Sequence, residues 1–69
     1  MYMTYTAVIH REGDLFVSQC PEVGSVSQGK TMEEALKNLE EATSLYLEEF
    51  PDAAPASPPF ITTFEATHA

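Results

Sequence analysis

The sequence predicts an α+β fold. A three-stranded antiparallel sheet carries one helix on a single face, and a further strand follows, in the order β-β-β-α-β. Three observations lead there. Residues 4 to 11 alternate, with Tyr5, Ala7 and Ile9 pointing one way and Thr4, Thr6, Val8 and His10 the other. A second run, Leu15 to Cys20, follows across a Gly-Asp reversal. Residues 29 to 50 then switch to apolar spacings of three and four, the period of an amphipathic helix.

The first strand spans residues 4 to 11. Glu12-Gly13-Asp14 supplies a tight reversal, with Gly13 taking positive φ. The return strand covers residues 15 to 20 and stops at Pro21, which has no N–H to give to a ladder. Pro21-Glu22-Val23-Gly24 is a turn, and Ser25 to Gln28 is a short third strand. The hairpin is apolar on both faces: Val8 and Phe16 do not obviously share a face with Ile9, Leu15 and Val17. One set is expected under the helix and the other under a second subunit.

The helix carries a written start signal. Thr31 is the expected N-cap. Glu34, three residues on, is expected to reach back to the Thr31 N–H and complete a capping box, and Gly29 is expected to turn the chain out of the third strand. The buried stripe reads Met32, Ala35, Leu36, Leu39, Ala42, Thr43, Tyr46, Leu47 and Phe50. The remaining surface carries Glu33, Glu34, Glu40, Glu41, Glu48 and Glu49, with Lys37 positioned to pair with Glu33 and Glu41 four residues away. Leu45 stands outside the stripe between Glu41 and Glu49. Residues 1–50 thus form the core unit. Residues 51–59 hold four of the five prolines and read as a helix-free linker. Residues 60–69 read as a last strand, Phe60 to Glu65, and a tail.

Composition narrows the function. Sixty-nine residues make one domain with a marginal core. One cysteine allows no disulfide within the chain, so oligomerisation, as a dimer or tetramer, is the expected remedy. Eleven acids against three bases give a net charge of −8, which leaves almost nothing to hold a phosphate backbone. Direct nucleic-acid binding is not expected, whereas a basic protein partner is. No apolar run approaches the roughly 20 residues of a membrane span, and no signal peptide is recognisable; the lone cysteine suits a reducing compartment, so a cytoplasmic location is expected. No cofactor or metal site is expected: Cys20, His10 and His68 form no close pair of ligands.

The strings Tyr5-Thr-Ala-Val-Ile-His, Asp14-Leu-Phe-Val-Ser, Cys20-Pro-Glu-Val-Gly and Ser27-Gln-Gly-Lys-Thr-Met-Glu-Glu-Ala-Leu-Lys-Asn, in this order and spacing, resemble the HicB-like antitoxin family over residues 5 to 50. The resemblance implies a sheet, a helix and a further strand, a partial ribonuclease H-like fold, and oligomers. It also implies a partner: a small basic RNA-cleaving toxin of the HicA type, which the antitoxin binds and blocks. Many members add a C-terminal ribbon-helix-helix or helix-turn-helix segment for operator binding; residues 51 to 69 contain no such segment.

On this reading the function is stoichiometric binding with no catalytic residue. Glu41, Leu45 and Glu48 on the outer helix face are the candidate partner contacts. A stand-alone homo-oligomeric binding domain without a toxin is the alternative. A minimal metal-dependent nuclease built on Glu12, Asp14 and Glu22 is a weaker one, because acids are ordinary residues of turns and the helix offers no inward-facing carboxylate.

Overall fold

The computed structural model describes residues 3–53 and 59–68. It contains three strands, β1 (Val8–Glu12), β2 (Leu15–Cys20) and β3 (Ser25–Gly29), followed by one helix, α1 (Met32–Glu49). The strands form an antiparallel sheet in the order β1-β2-β3. Glu12 pairs with Leu15 across the Gly13-Asp14 turn, where Gly13 takes a φ of 63°. The second turn is closed by the Gly24 N–H, which donates to the Cys20 carbonyl at 2.7 Å.

Cross-strand partners share a face, so the register assigns every side chain. Ile9, Ser18 and Ser27 lie together, as do Arg11, Phe16 and Gly29, and this face receives the helix. Val8, Gln19 and Val26, all exposed, lie on the opposite face with the half-buried Leu15 and Val17, and among the described residues no helix or strand covers that face. The division is therefore Ile9 with Phe16 beneath the helix, and Val8 with Leu15 and Val17 outside. The expected grouping of Val8 with Phe16 is incorrect, because the two-residue turn sets the register one step differently.

Small residues hold the helix close to the sheet. An added Cβ on Gly29 would lie 2.5 Å from the Ala35 backbone nitrogen, so no side chain fits there. Gly29 is the last residue of β3 and lies outside the positive-φ region, so the close approach to α1, and not a sharp turn, is what requires glycine. The buried Ser18 hydroxyl donates to the Ala35 carbonyl at 2.8 Å. The Ser25 and Thr43 hydroxyls share a 2.7 Å hydrogen bond, and the Asn38 amide donates to the Gln28 carbonyl at 2.8 Å. Cys20, Ala35 and Leu39 supply the fully buried apolar groups.

The helix start differs in one bond from the expected box. Thr31 Oγ1 accepts from the Glu34 N–H at 3.1 Å, as an N-cap does. The Glu34 carboxylate accepts from the Lys30 N–H at 3.0 Å rather than from Thr31. The stripe of apolar residues is buried at its centre, at Ala35, Leu39 and Thr43, and open at its margins, at Met32, Leu36, Tyr46 and Phe50. Tyr46 and Phe50 pack on each other with ring centroids 5.0 Å apart.

The first strand begins at Val8, not Thr4. Extended by two residues, the register would set Thr6 opposite Pro21, which has no N–H for the ladder. Pro51–Ala53, expected to be free of helix, form a single 3-10 turn; residues 54–58 of the expected linker lie outside the described residues. The strand expected at Phe60–Glu65 is absent: residues 59–68 form neither strand nor helix and are exposed. β-branched and aromatic composition measures fit to a half-buried pleated surface, and among the described residues no strand pairs with this segment.

Candidate functional site

Two surfaces stand out, one acidic and one apolar. Glu41, Leu45 and Glu48 follow the four- and three-residue spacing of a single helix face, and all three side chains are exposed, Leu45 at 64%. Lys37 lies one turn before Glu41 but pairs with neither Glu41 nor Glu33. Among the described residues the one ion-pair contact joins His10 Nε2 to Glu12 Oε2 at 3.2 Å, on the exposed side of the sheet. The last turn of α1 holds Glu48 and Glu49 and no basic residue. The negative end of the helix dipole thus coincides with two uncompensated carboxylates, and the field there attracts cationic groups.

The apolar surface arises from where the helix sits. α1 lies over β3 and β2 and scarcely touches β1. The space left beside it is a groove of about 550 Å³ between residues 3–7 and the helix flank, with walls from Met3, Tyr5, Leu36, Leu39 and Leu47 and with Cys20 at its base. Glu40 stands among these groups as an acidic member.

A carboxylate anchors the outer wall of that groove. Glu22 Oε2 accepts from the Thr6 N–H at 2.9 Å and from the Thr6 hydroxyl at 2.8 Å, and Glu22 Oε1 accepts from the Cys20 thiol at 3.5 Å. Desolvation pushes the Glu22 carboxyl upward. The opposing hydrogen bonds, from the Thr6 hydroxyl, the Glu22 and Thr6 backbone N–H groups and the Cys20 thiol, together hold it below the usual carboxylate range. Glu22 was readable only as a turn acid. No local pattern marks its role, because the bonds depend on Thr6 lying across the sheet from it.

The structure does not bring Glu12, Asp14 and Glu22 together. Glu12 and Asp14 flank the first turn, while Glu22 follows the far end of β2. Among the described residues no group of three or more His, Cys, Asp or Glu side chains could hold a metal ion. His10 is exposed on the outer sheet face, Cys20 is a buried free thiol, and His68 is exposed. No helix among the described residues is long and apolar enough to cross a membrane.

Comparison with known proteins adds one relative. No family model matches the chain, and no solved structure matches it. The chain spans 64% of the length of the curated relative it matches. Over 46 residues, 65% of the chain, it is 46% identical to a UPF0150 protein of Helicobacter pylori strain J99.

Proposed function

We propose that this chain is a HicB-like interaction module of antitoxin type, which binds a small basic RNA-cleaving toxin of the HicA kind and covers its RNA-binding surface. The observation that carries the reading is the outer face of α1. Glu41 and Glu48 flank the exposed Leu45, and among the described residues no cation pairs with either of them. An apolar contact ringed by uncompensated charge suits a cationic partner: the charge steers the encounter and the apolar group holds the complex. UPF0150 is a HicB-like family, so the 46% identical relative supports the same assignment. The reaction is stoichiometric occlusion, with no bond made or broken by this chain.

The test is surface-binding kinetics with the product of the neighbouring reading frame, if that product is a small basic protein, over a salt series. The on-rate should fall steeply as salt rises, because the Debye length shrinks from about 30 Å at 0.01 M to about 10 Å at 0.1 M. Glu41→Lys with Glu48→Lys should slow association with the fold intact, and Leu45→Asp should act mainly on the off-rate. Salt-independent rates, or wild-type kinetics for all three substitutions, would remove α1 from the interface.

A second reading, a self-associating binding domain without a toxin, is favoured by a different observation. The outer face of the sheet leaves Val8 and Val26 about half exposed, at 47% and 58%, and no element among the described residues covers them.

A further inference from the structure

We propose that the C-terminal arm, residues 60–64, pairs with the free edge of β1 in a second copy of the chain, so that two copies exchange arms around a two-fold axis. The inference goes beyond the toxin-binding reading and holds whether or not that reading does.

Three features of one chain fit one another. Among the described residues β1 pairs with β2 alone, so alternate N–H and C=O groups from Val8 to Glu12 face outward with no ladder partner there. The apolar groove opens on the helix side of this same part of the sheet, walled by Leu36 and Leu47 of α1. The exposed Val8 lies on the opposite side. Val8 and Ile9 thus give the start of the receiving edge one apolar side chain on each face, while His10, Arg11 and Glu12 make the rest of it polar.

The arm has the matching pattern. Phe60, Thr62 and Phe64 fall on one side of an extended segment, and Ile61 and Thr63 on the other. Paired with β1, the arm sets Phe60 and Phe64 in the groove and Ile61 on the outer face beside Val8. All three large side chains are exposed in their own chain, and Phe64 is 88% exposed. Among the described residues the buried apolar ones are Cys20, Ala35 and Leu39, and a second surface that received the arm would take three larger side chains out of water.

The arm's own groove is not that surface, since none of the arm residues lines it. Four prolines, at 51, 55, 58 and 59, stand in the sequence between α1 and the arm. Area points the same way. Burial of the three side chains removes on the order of 150 Å² each, and the groove and edge lose a similar amount. Two arms exchanged reciprocally therefore bury roughly 1,800 Å² in total, within the range of about 1,200–2,000 Å² found in stable specific interfaces. A two-fold arrangement makes both contacts at once and closes the assembly at two copies.

The experiment uses the full chain. Equal parts of ¹³C,¹⁵N-labelled and unlabelled protein are mixed from the unfolded state, refolded and examined by isotope-filtered NOE spectroscopy, with mass measured by sedimentation equilibrium at about 50 µM. The expected result is twice the 7.6 kDa chain mass, with NOEs between the Phe60 and Phe64 rings of one copy and the Leu36 and Leu47 methyls of the other. Phe60→Asp with Phe64→Asp should give a monomer that keeps the helical circular dichroism. A monomeric wild type, arm NOEs found only within one chain, or a dimer that survives the double substitution would each overturn the proposal. If the double variant unfolds, the wild-type NOE pattern decides by itself.

Discussion

Glu22 holds the segment that leads into β1 through two bonds to Thr6 and one from Cys20. Its carboxyl is lowered in the folded chain relative to an unfolded carboxylate. A lowered folded-state value means that the stabilisation is fully present above the unfolded pKa, about 4.3, and is lost as pH falls through the folded value. The difference in urea midpoint between wild type and Glu22→Gln should accordingly be largest above that pH and shrink steadily below it. A difference that stays constant from pH 7 to pH 3 would show that the Glu22 charge contributes nothing. The residue scale was also where the sequence said least. Ser18, read as one letter of a strand, proves to be a buried donor to the helix backbone, and Gly29 marks a close approach and not a turn. Both facts depend on which helix residue lies above them, and no local pattern carries that.

The elements themselves were legible, because each has a local physical cause. The Gly13 reversal, the Pro21 stop and the Thr31 cap bound β2 and α1 at the residues expected. The stripe along α1 was legible at its centre, where Ala35, Leu39 and Thr43 face the sheet. It failed at its margins, since periodicity gives the direction of a face but not the width of the sheet beneath it. Thr31→Ala should cost about 0.5–2 kcal/mol through loss of the cap. Leu39→Ala should cost about 2–5 kcal/mol through the cavity it leaves. Denaturation midpoints in the reverse order would contradict the packing described for α1. The last turn offers an opposite test. Glu49→Lys replaces a carboxylate at the negative end of the helix dipole, and at low ionic strength it should stabilise the chain by about 0.3–1 kcal/mol. An unchanged or lower melting temperature would mean that the dipole is screened there. The outer face of the same helix, with Glu41, Leu45 and Glu48, was readable in the sequence as exposed, because exposure follows directly from the stripe.

At the scale of the whole molecule, a net charge of −8 on 69 residues works against compactness. Raising ionic strength from about 0.01 M to 0.15 M shortens the Debye length from about 30 Å to about 8 Å. The melting temperature should rise, by about 4–8 °C for each kcal/mol of repulsion relieved in a domain of this size. A scan that is flat in salt would show that the carboxylates do not repel appreciably in the folded state. The groove beside α1 and the exposed arm were not legible, since both depend on the helix lying to one side of the sheet. That attachment has a consequence for variation. α1 is fastened by backbone proximity at Gly29, by hydroxyls of Ser18, Ser25 and Thr43 and by the Asn38 amide, all on its inner side. Its outward side chains take no part in the fastening. Sequence change there costs the fold little, so the outer surface of α1 can vary widely while the scaffold beneath it stays as it is.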